Sequence, residues 1–123
     1  MDSKLAEGGS LFGGGQPEKQ VHFMSLDKFV ISLNGDERMH YLLLELDLKT
    51  ANVRAHEDLK AFRPIVNNVL LKMFSQMSYE EVRASNDIEV LQRQVKSQLS
   101  TTLAHSGYLH SIEDVLFTKL VLQ

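Results

Sequence analysis

Two stretches of the chain alternate apolar and polar residues with period two, and a turn signal separates them. Upstream, Phe29, Ile31 and Leu33 alternate with Lys28, Val30 and Ser32. Downstream, Leu42, Leu44, Leu46 and Leu48 alternate with Tyr41, Leu43, Glu45, Asp47 and Lys49. Between them lies Asn34-Gly35-Asp36, and Asn-Gly marks a tight hairpin because both residues tolerate a positive φ. The pattern predicts an antiparallel hairpin with the even-numbered leucines facing the core.

The period then becomes helical. From Arg54 to Met77 the apolar positions Leu59, Phe62, Val66, Val69, Leu70, Met73, Phe74 and Met77 step by three and four. Pro64 interrupts this run; it removes one N–H and disfavours helix at Arg63, which predicts a kink or a two-helix break. Ser78-Tyr79-Glu80-Glu81 is a capping-box pattern, and Ser85-Asn86-Asp87 offers a second N-cap. After it, Ile88, Leu91, Val95, Leu99 and Leu103 form one stripe, with Glu89 and Arg93 a turn apart. Gly107 is placed to end that helix in the left-handed conformation. The last segment, Ile112 to Gln123, is apolar on both faces, since Leu116, Leu120 and Leu122 alternate with Val115, Phe117 and Val121. A strand apolar on both faces is expected in the middle of a sheet, covered above and below. The order β-β-α-α-β defines an α+β domain, a hairpin-containing antiparallel sheet packed on a helical layer.

Composition separates the chain into two parts. Five of the seven glycines (Gly8, Gly9, Gly13, Gly14, Gly15) fall in the first twenty residues, with Ser3, Ser10 and Pro17 among them. Such a stretch loses much backbone entropy on ordering and offers little apolar surface in return. Met1 to Gln20 therefore reads as a flexible, protease-sensitive linker, with Leu11-Phe12 its one apolar island. The folded domain is expected from Val21 to Gln123.

Charge and residue inventory exclude several functions. The 123 residues carry a formal net charge of -3, and no Cys. Mild acidity argues against a nucleic-acid binder, which needs a basic face to displace counterions from phosphates. Without Cys there is no disulfide scaffold, thiolate zinc site or cysteine nucleophile. The densest apolar run, Tyr41 to Leu48, is interrupted by Glu45 and Asp47. No stretch approaches the ~20 apolar residues of a membrane span. No basic n-region and apolar h-region open the chain as a signal peptide would.

Candidate chemistry is sparse. His22, His40, His56, His105 and His110 lack the spacing of a helix-borne metal site, and His105 and His110 read as surface residues near a helix end. Three acidic pairs occur, Glu57-Asp58, Glu80-Glu81 and Glu113-Asp114. Sequence neighbours diverge in direction, so none forms an acid/base dyad by itself, and the first two are expected near helix starts. No serine sits in a Gly-x-Ser-x-Gly elbow, and Gly13-Gly14-Gly15 is not followed by Lys as a phosphate loop would be. The reading is therefore non-enzymatic, with no catalytic, cofactor-binding or metal-ligating residue and no cofactor. What remains is surplus apolar surface. Leu71 lies outside the apolar arc of its helix, between Asn67 and Ser75, and the second face of the hairpin is partly apolar through Met39, Tyr41 and Leu43. Leu71, Tyr41 and Leu43 are the candidate contact residues for self-association or a partner protein.

The ordered set of segments resembles the periplasmic domain of the FliL family. The hairpin Leu26-Asp27-Lys28-Phe29-Val30-Ile31-Ser32-Leu33-Asn34-Gly35-Asp36 with Tyr41-Leu42-Leu43-Leu44-Glu45-Leu46-Asp47-Leu48 is similar to that family's opening. Leu59 to Leu71, with Pro64 inside, resembles its first helix. The short Ser78 to Val82 segment follows in place, and Ile112 to Gln123 resembles its last strand, with Leu120 where an aromatic residue is frequent. The resemblance implies a flagellar basal-body-associated protein with a stomatin-like (SPFH-like) periplasmic fold. It also implies assembly into a ring, and partnership with the stator complex, MotA/MotB or the sodium-driven equivalent, in support of torque and swimming. Family members carry a cytoplasmic tail and one transmembrane helix before this domain. The chain is thus expected to be a periplasmic portion of an inner-membrane protein, its Gly-rich segment the juxtamembrane linker. The alternative from another class is a small ligand-binding or adaptor α+β domain that uses the open sheet face.

Overall fold

The computed structural model describes residues 22–85 and 87–123. The expected linker, Met1 to Gln20, lies outside the described residues. The elements are β1 (His22–Ser25), β2 (Phe29–Asn34), β3 (Met39–Thr50), α1 (Val53–Lys60), α2 (Arg63–Ser75), α3 (Tyr79–Ala84), α4 (Ile88–His105) and β4 (Asp114–Leu122). The fold is α+β, as the periodicity predicts: a four-stranded antiparallel sheet with helices against one face. The β-β-α-α-β reading expands in two ways. β1 has four residues, too few to show a period, and each helical segment resolves into two helices.

β3 is the central strand. Along one side it pairs with β1 (His22 opposite Thr50 to Ser25 opposite Asp47) and then with β2 (Phe29 opposite Leu44 to Asn34 opposite Met39). Along its other side it pairs with β4 only (Leu42 opposite Leu122 to Lys49 opposite Asp114). The last strand is therefore an edge strand, which corrects the expectation of a central one. The register explains the misleading pattern. Glu45 faces Lys119 and Leu46 faces Phe117, so Thr118 is an extra residue in a β-bulge. The bulge shifts the alternation by one: Val115 and Phe117 oppose Leu48 and Leu46 on the core side, and so do Leu120 and Leu122 opposite Leu44 and Leu42. A phase change along one strand looks, without the register, like a strand apolar on both faces.

The hairpin forms, but its turn is not the two-residue type. Asn34 pairs with Met39, leaving the four residues 35–38 as the loop. Positive φ is found at Gly107 and not at Gly35. Glycine is required at 35 for space: a Cβ there would lie 2.7 Å from His40 Cδ2 and 2.8 Å from the Arg38 carbonyl oxygen. His40 itself is buried, stacked on Tyr79 of α3 at 3.5 Å between ring centroids, with Nδ1 3.0 Å from the Gln123 carbonyl oxygen.

Local signals set the helix ends. Asn52 caps α1 by accepting from Ala55 N–H. Pro64 occupies the start of α2, where a missing N–H costs nothing, and so divides the run into two helices. Ser78 and Glu81 form both bonds of the capping box at α3. Asp87 caps α4 by accepting from Glu89 N–H. At the other end of α4, Gly107 at φ 103 lets Tyr108 N–H reach the Leu103 carbonyl at 2.9 Å and its own N–H reach Ala104 at 3.3 Å. This is a Schellman motif. The core joins Leu42, Leu44, Leu46 and Leu48 of β3 to Val66, Leu70 and Phe74 of α2 and to Val95, Leu99 and Leu103 of α4. All ten are at most 1% exposed.

Candidate functional site: the open face of the sheet

Because side chains alternate along a strand, filling one face of β3 with leucine assigns the odd-numbered residues to the other face. The helices cover only the leucine side, where the core lies. On the open side the register lines up a row across three strands, Val30 of β2, Leu43 of β3 and Val121 of β4. One step toward the hairpin turn stand Tyr41 and, beyond it, Met39. Val30 is 63% exposed, Met39 49% and Tyr41 48%; Leu43 and Val121 are half-buried among their neighbours. The other end of this face is mixed: Phe23 of β1, opposite Lys49, is 46% exposed, and Leu116 of β4, opposite Asp47, is half-buried among charged residues. Glu45 stands opposite Lys119, and Lys49 opposite Asp114, opposite-sign pairs of the kind that stabilise a sheet surface. The open face thus has an apolar half near the turn and, near α1, charged pairs interspersed with Phe23 and Leu116.

Two of the three expected contact residues share this face, Tyr41 and Leu43. Leu71 does not join them. It is exposed on α2, whose Val66, Val69, Leu70 and Phe74 are buried, so it lies in the helical layer on the opposite side of the sheet. Val30 and Val121 belong to the apolar row but were missed as candidates. Val30 carried a signal, since it sits between the core-facing Phe29 and Ile31 in a period-two run. The phase of Val121 is hidden by the bulge. Leu109, 92% exposed in the loop after α4, follows no period and gave no signal.

Several titratable groups engage in structural bonds. Glu57 and Asp58 lie beyond the first turn of α1, which holds no acidic residue, contrary to their expected place at a helix start. They bond instead to Lys60 Nζ at 3.0 Å and to His110 Nε2 at 2.7 Å. The Tyr108 hydroxyl donates to the Ala55 carbonyl at 2.9 Å. Burial, and then the neighbouring Asp58 charge, push its pKa up to about 12. His22 and His56 rings are 5.8 Å apart, but among the described residues no three His, Asp or Glu side chains converge as metal ligands. Clefts of about 260 Å³ between α2 and α4 and about 330 Å³ beside Tyr108 and Phe62 lie away from the open sheet face. No helix among the described residues is long and apolar enough to cross a membrane.

The fold is an α+β domain whose antiparallel sheet has one helical layer and an open face with an apolar patch. Sequence comparison gives the family. Residues 23–123 match the sequence model described as "Flagellar basal body-associated protein FliL", and the chain belongs to that family. It is 37% identical over 105 residues to "Flagellar protein LafL" of Vibrio parahaemolyticus, covering 85% of this chain and 63% of the relative. It is 29% identical over 101 residues to "Flagellar protein FliL" of Escherichia coli K12, covering 82% and 64%. "Flagellar protein FliL" of Aquifex aeolicus is 22% identical over 107 residues, 87% of this chain and 64% of the relative. The chain therefore spans just under two thirds of the length of these relatives.

Proposed function

We propose that this chain is the periplasmic portion of a non-enzymatic flagellar motor accessory protein that sits at the basal body and associates with the stator units. In the full-length protein an N-terminal helix anchors it to the inner membrane. Family membership supports the flagellar setting, and the names of the relatives agree with it. The observation that carries a contact function is the apolar row Val30–Leu43–Val121 with Tyr41 and Met39 beside it, solvent-facing although a helical layer covers the other side. Apolar residues gathered on an open face mark an interaction surface more often than isolated ones do. Membrane tethering raises local concentration to about the millimolar range, so weak contacts between copies suffice there and fail in dilute solution. The isolated domain is thus a monomer or weak oligomer.

Tyr41→Asp and Leu71→Asp, placed in the full-length protein, test the assignment. Both positions are about half exposed, so each variant should fold with a stability change of about 0.5 kcal/mol or less. Swimming in viscous medium should weaken. Unfolding by either change would make that residue part of the core. Normal swimming under load by two folded variants would remove the contact assignment.

A further inference from the structure

An edge strand presents a row of backbone groups that a second strand can pair with, so its outward N–H groups identify what the edge can accept. On β4 these can be read from the ladder. Tyr41 and Gln123 exchange both backbone bonds, at 3.0 and 2.8 Å. Hydrogen-bonded and non-hydrogen-bonded pairs alternate from there, so Leu122 and Leu120 turn their N–H groups away from β3. Beyond the bulge two more outward N–H groups follow, and both are occupied by side chains. Val115 N–H donates to its neighbour Asp114 Oδ1 at 2.9 Å. Phe117 N–H donates to Gln92 Oε1 at 3.0 Å, across 25 positions of sequence. Gln92 is half-buried on α4, and Glu89, Arg93, Lys96 and Asp114 line a cleft with it. Its amide oxygen occupies the place where the carbonyl of an added strand would sit.

We propose that Gln92 is a gate on the β4 edge: by holding Phe117 N–H it keeps the sheet from continuing onto β4 of a second copy. The partner it excludes is defined by symmetry. Two β4 edges pair antiparallel about a two-fold axis, each meeting the same strand of the other. Such pairing uses the edge around Phe117 on both copies, because a strand from a second copy lacks the chain connection that holds the four-residue β1 in place and needs more of the edge than Lys119 to Leu122. The bulge at Thr118 adds local twist against a flat approach, and the charged collar of α4 would have to move aside.

The test uses Gln92→Ala, Gln92→Met and Gln92→Glu in the whole chain. Methionine keeps the length and lacks a strong acceptor; glutamate keeps an acceptor oxygen. Amide exchange at Phe117 should accelerate roughly tenfold in the alanine and methionine variants, the scale of one lost hydrogen bond. Both variants should also self-associate as concentration rises, measured by light scattering, with Phe117 protection returning in the associated form. The glutamate variant should match the parent in both readouts. Unchanged Phe117 exchange on loss of the oxygen overturns the proposal. So does faster exchange with no gain in association, or association by the glutamate variant equal to that of alanine. If alanine prevents folding, methionine, which fills the same space, decides by the same criteria.

Discussion

The bulge at Thr118 makes an unusual claim testable: removing a residue from the middle of β4 should be tolerated better than removing one of its neighbours. Thr118 is exposed and opposes no residue of its own on β3, since Glu45 faces Lys119 and Leu46 faces Phe117. Deleting it leaves Val115, Phe117, Leu120 and Leu122 on the core face and Leu116, Lys119 and Val121 on the open face, now in unbroken alternation. What is lost is the local twist and the fit of Phe117 N–H on Gln92, about 1 kcal/mol for one hydrogen bond. Deleting Leu116 has the opposite effect. The strand must then either turn Val115, fully buried against Leu48, to the open face, or straighten the bulge and put Thr118 where Phe117 packs on Phe74. Either way an apolar side chain packed on the core, the buried Val115 or the half-buried Phe117, leaves it, about 2–3 kcal/mol, and in the second case a hydroxyl enters for about 1–3 kcal/mol more. With about 1 kcal/mol already lost on deleting Thr118, urea melts of similar slope should show the Leu116 deletion less stable than the Thr118 deletion by about 1–2 kcal/mol in the first case and about 2–5 kcal/mol in the second. A Thr118 deletion as damaging as the Leu116 deletion would refute the bulged register.

Two further outcomes follow from the core and its border. Phe74→Ala removes a fully buried ring that meets Phe117 edge-on at 6.5 Å, and should lower unfolding free energy by about 3–5 kcal/mol in a denaturant melt. Tyr108, raised to about 12 from 10.0, loses its proton more readily unfolded than folded. Its stabilising effect is therefore complete below about pH 10 and declines as pH rises from about 10 to about 12, a decline that should be absent in Tyr108→Phe.

Periodicity read well where each element keeps one phase. The leucines of β3 and the stripes of α2 and α4 turn the residues that their spacing selects toward the core, except Ile88, which is 46% exposed in the first turn of α4, and the Ser78 box and the Gly107 cap work as local chemistry dictates. The sequence was silent or misleading where register, a non-local quantity, decides. Nothing within β4 reveals that Thr118 is the extra residue; only pairing with β3 does, and so an edge strand resembled a central one. Gly35 is a second case. Asn-Gly predicted a positive φ, but the glycine answers to the buried His40 ring five residues on, a contact made by the four-residue loop. The candidate contact residues were legible as apolar positions without a core, yet their grouping was not. Tyr41 and Leu43 share a face because of β3, whereas Leu71 belongs to the other layer.

That separation bears on how copies can meet. A closed ring is built from head-to-tail contacts, in which two different patches of one copy engage two neighbours. One patch cannot serve both neighbours at once. Tyr41 and Leu43 on the open sheet face and Leu71 on the helical layer are non-overlapping by construction, which is the geometry such a contact requires. Pairing of two β4 edges would work against it. A two-fold contact uses the same surface on both partners and ends at a dimer, with strands in a fixed antiparallel register. On the proposed reading, then, the Gln92–Phe117 bond and the open sheet face have complementary consequences. The first closes a route to dimers that would consume the edge of the sheet, and the second leaves weak lateral surfaces that act only when a membrane holds many copies together. Gln92→Ala should therefore divert full-length protein into pairs and weaken swimming without touching Tyr41 or Leu71.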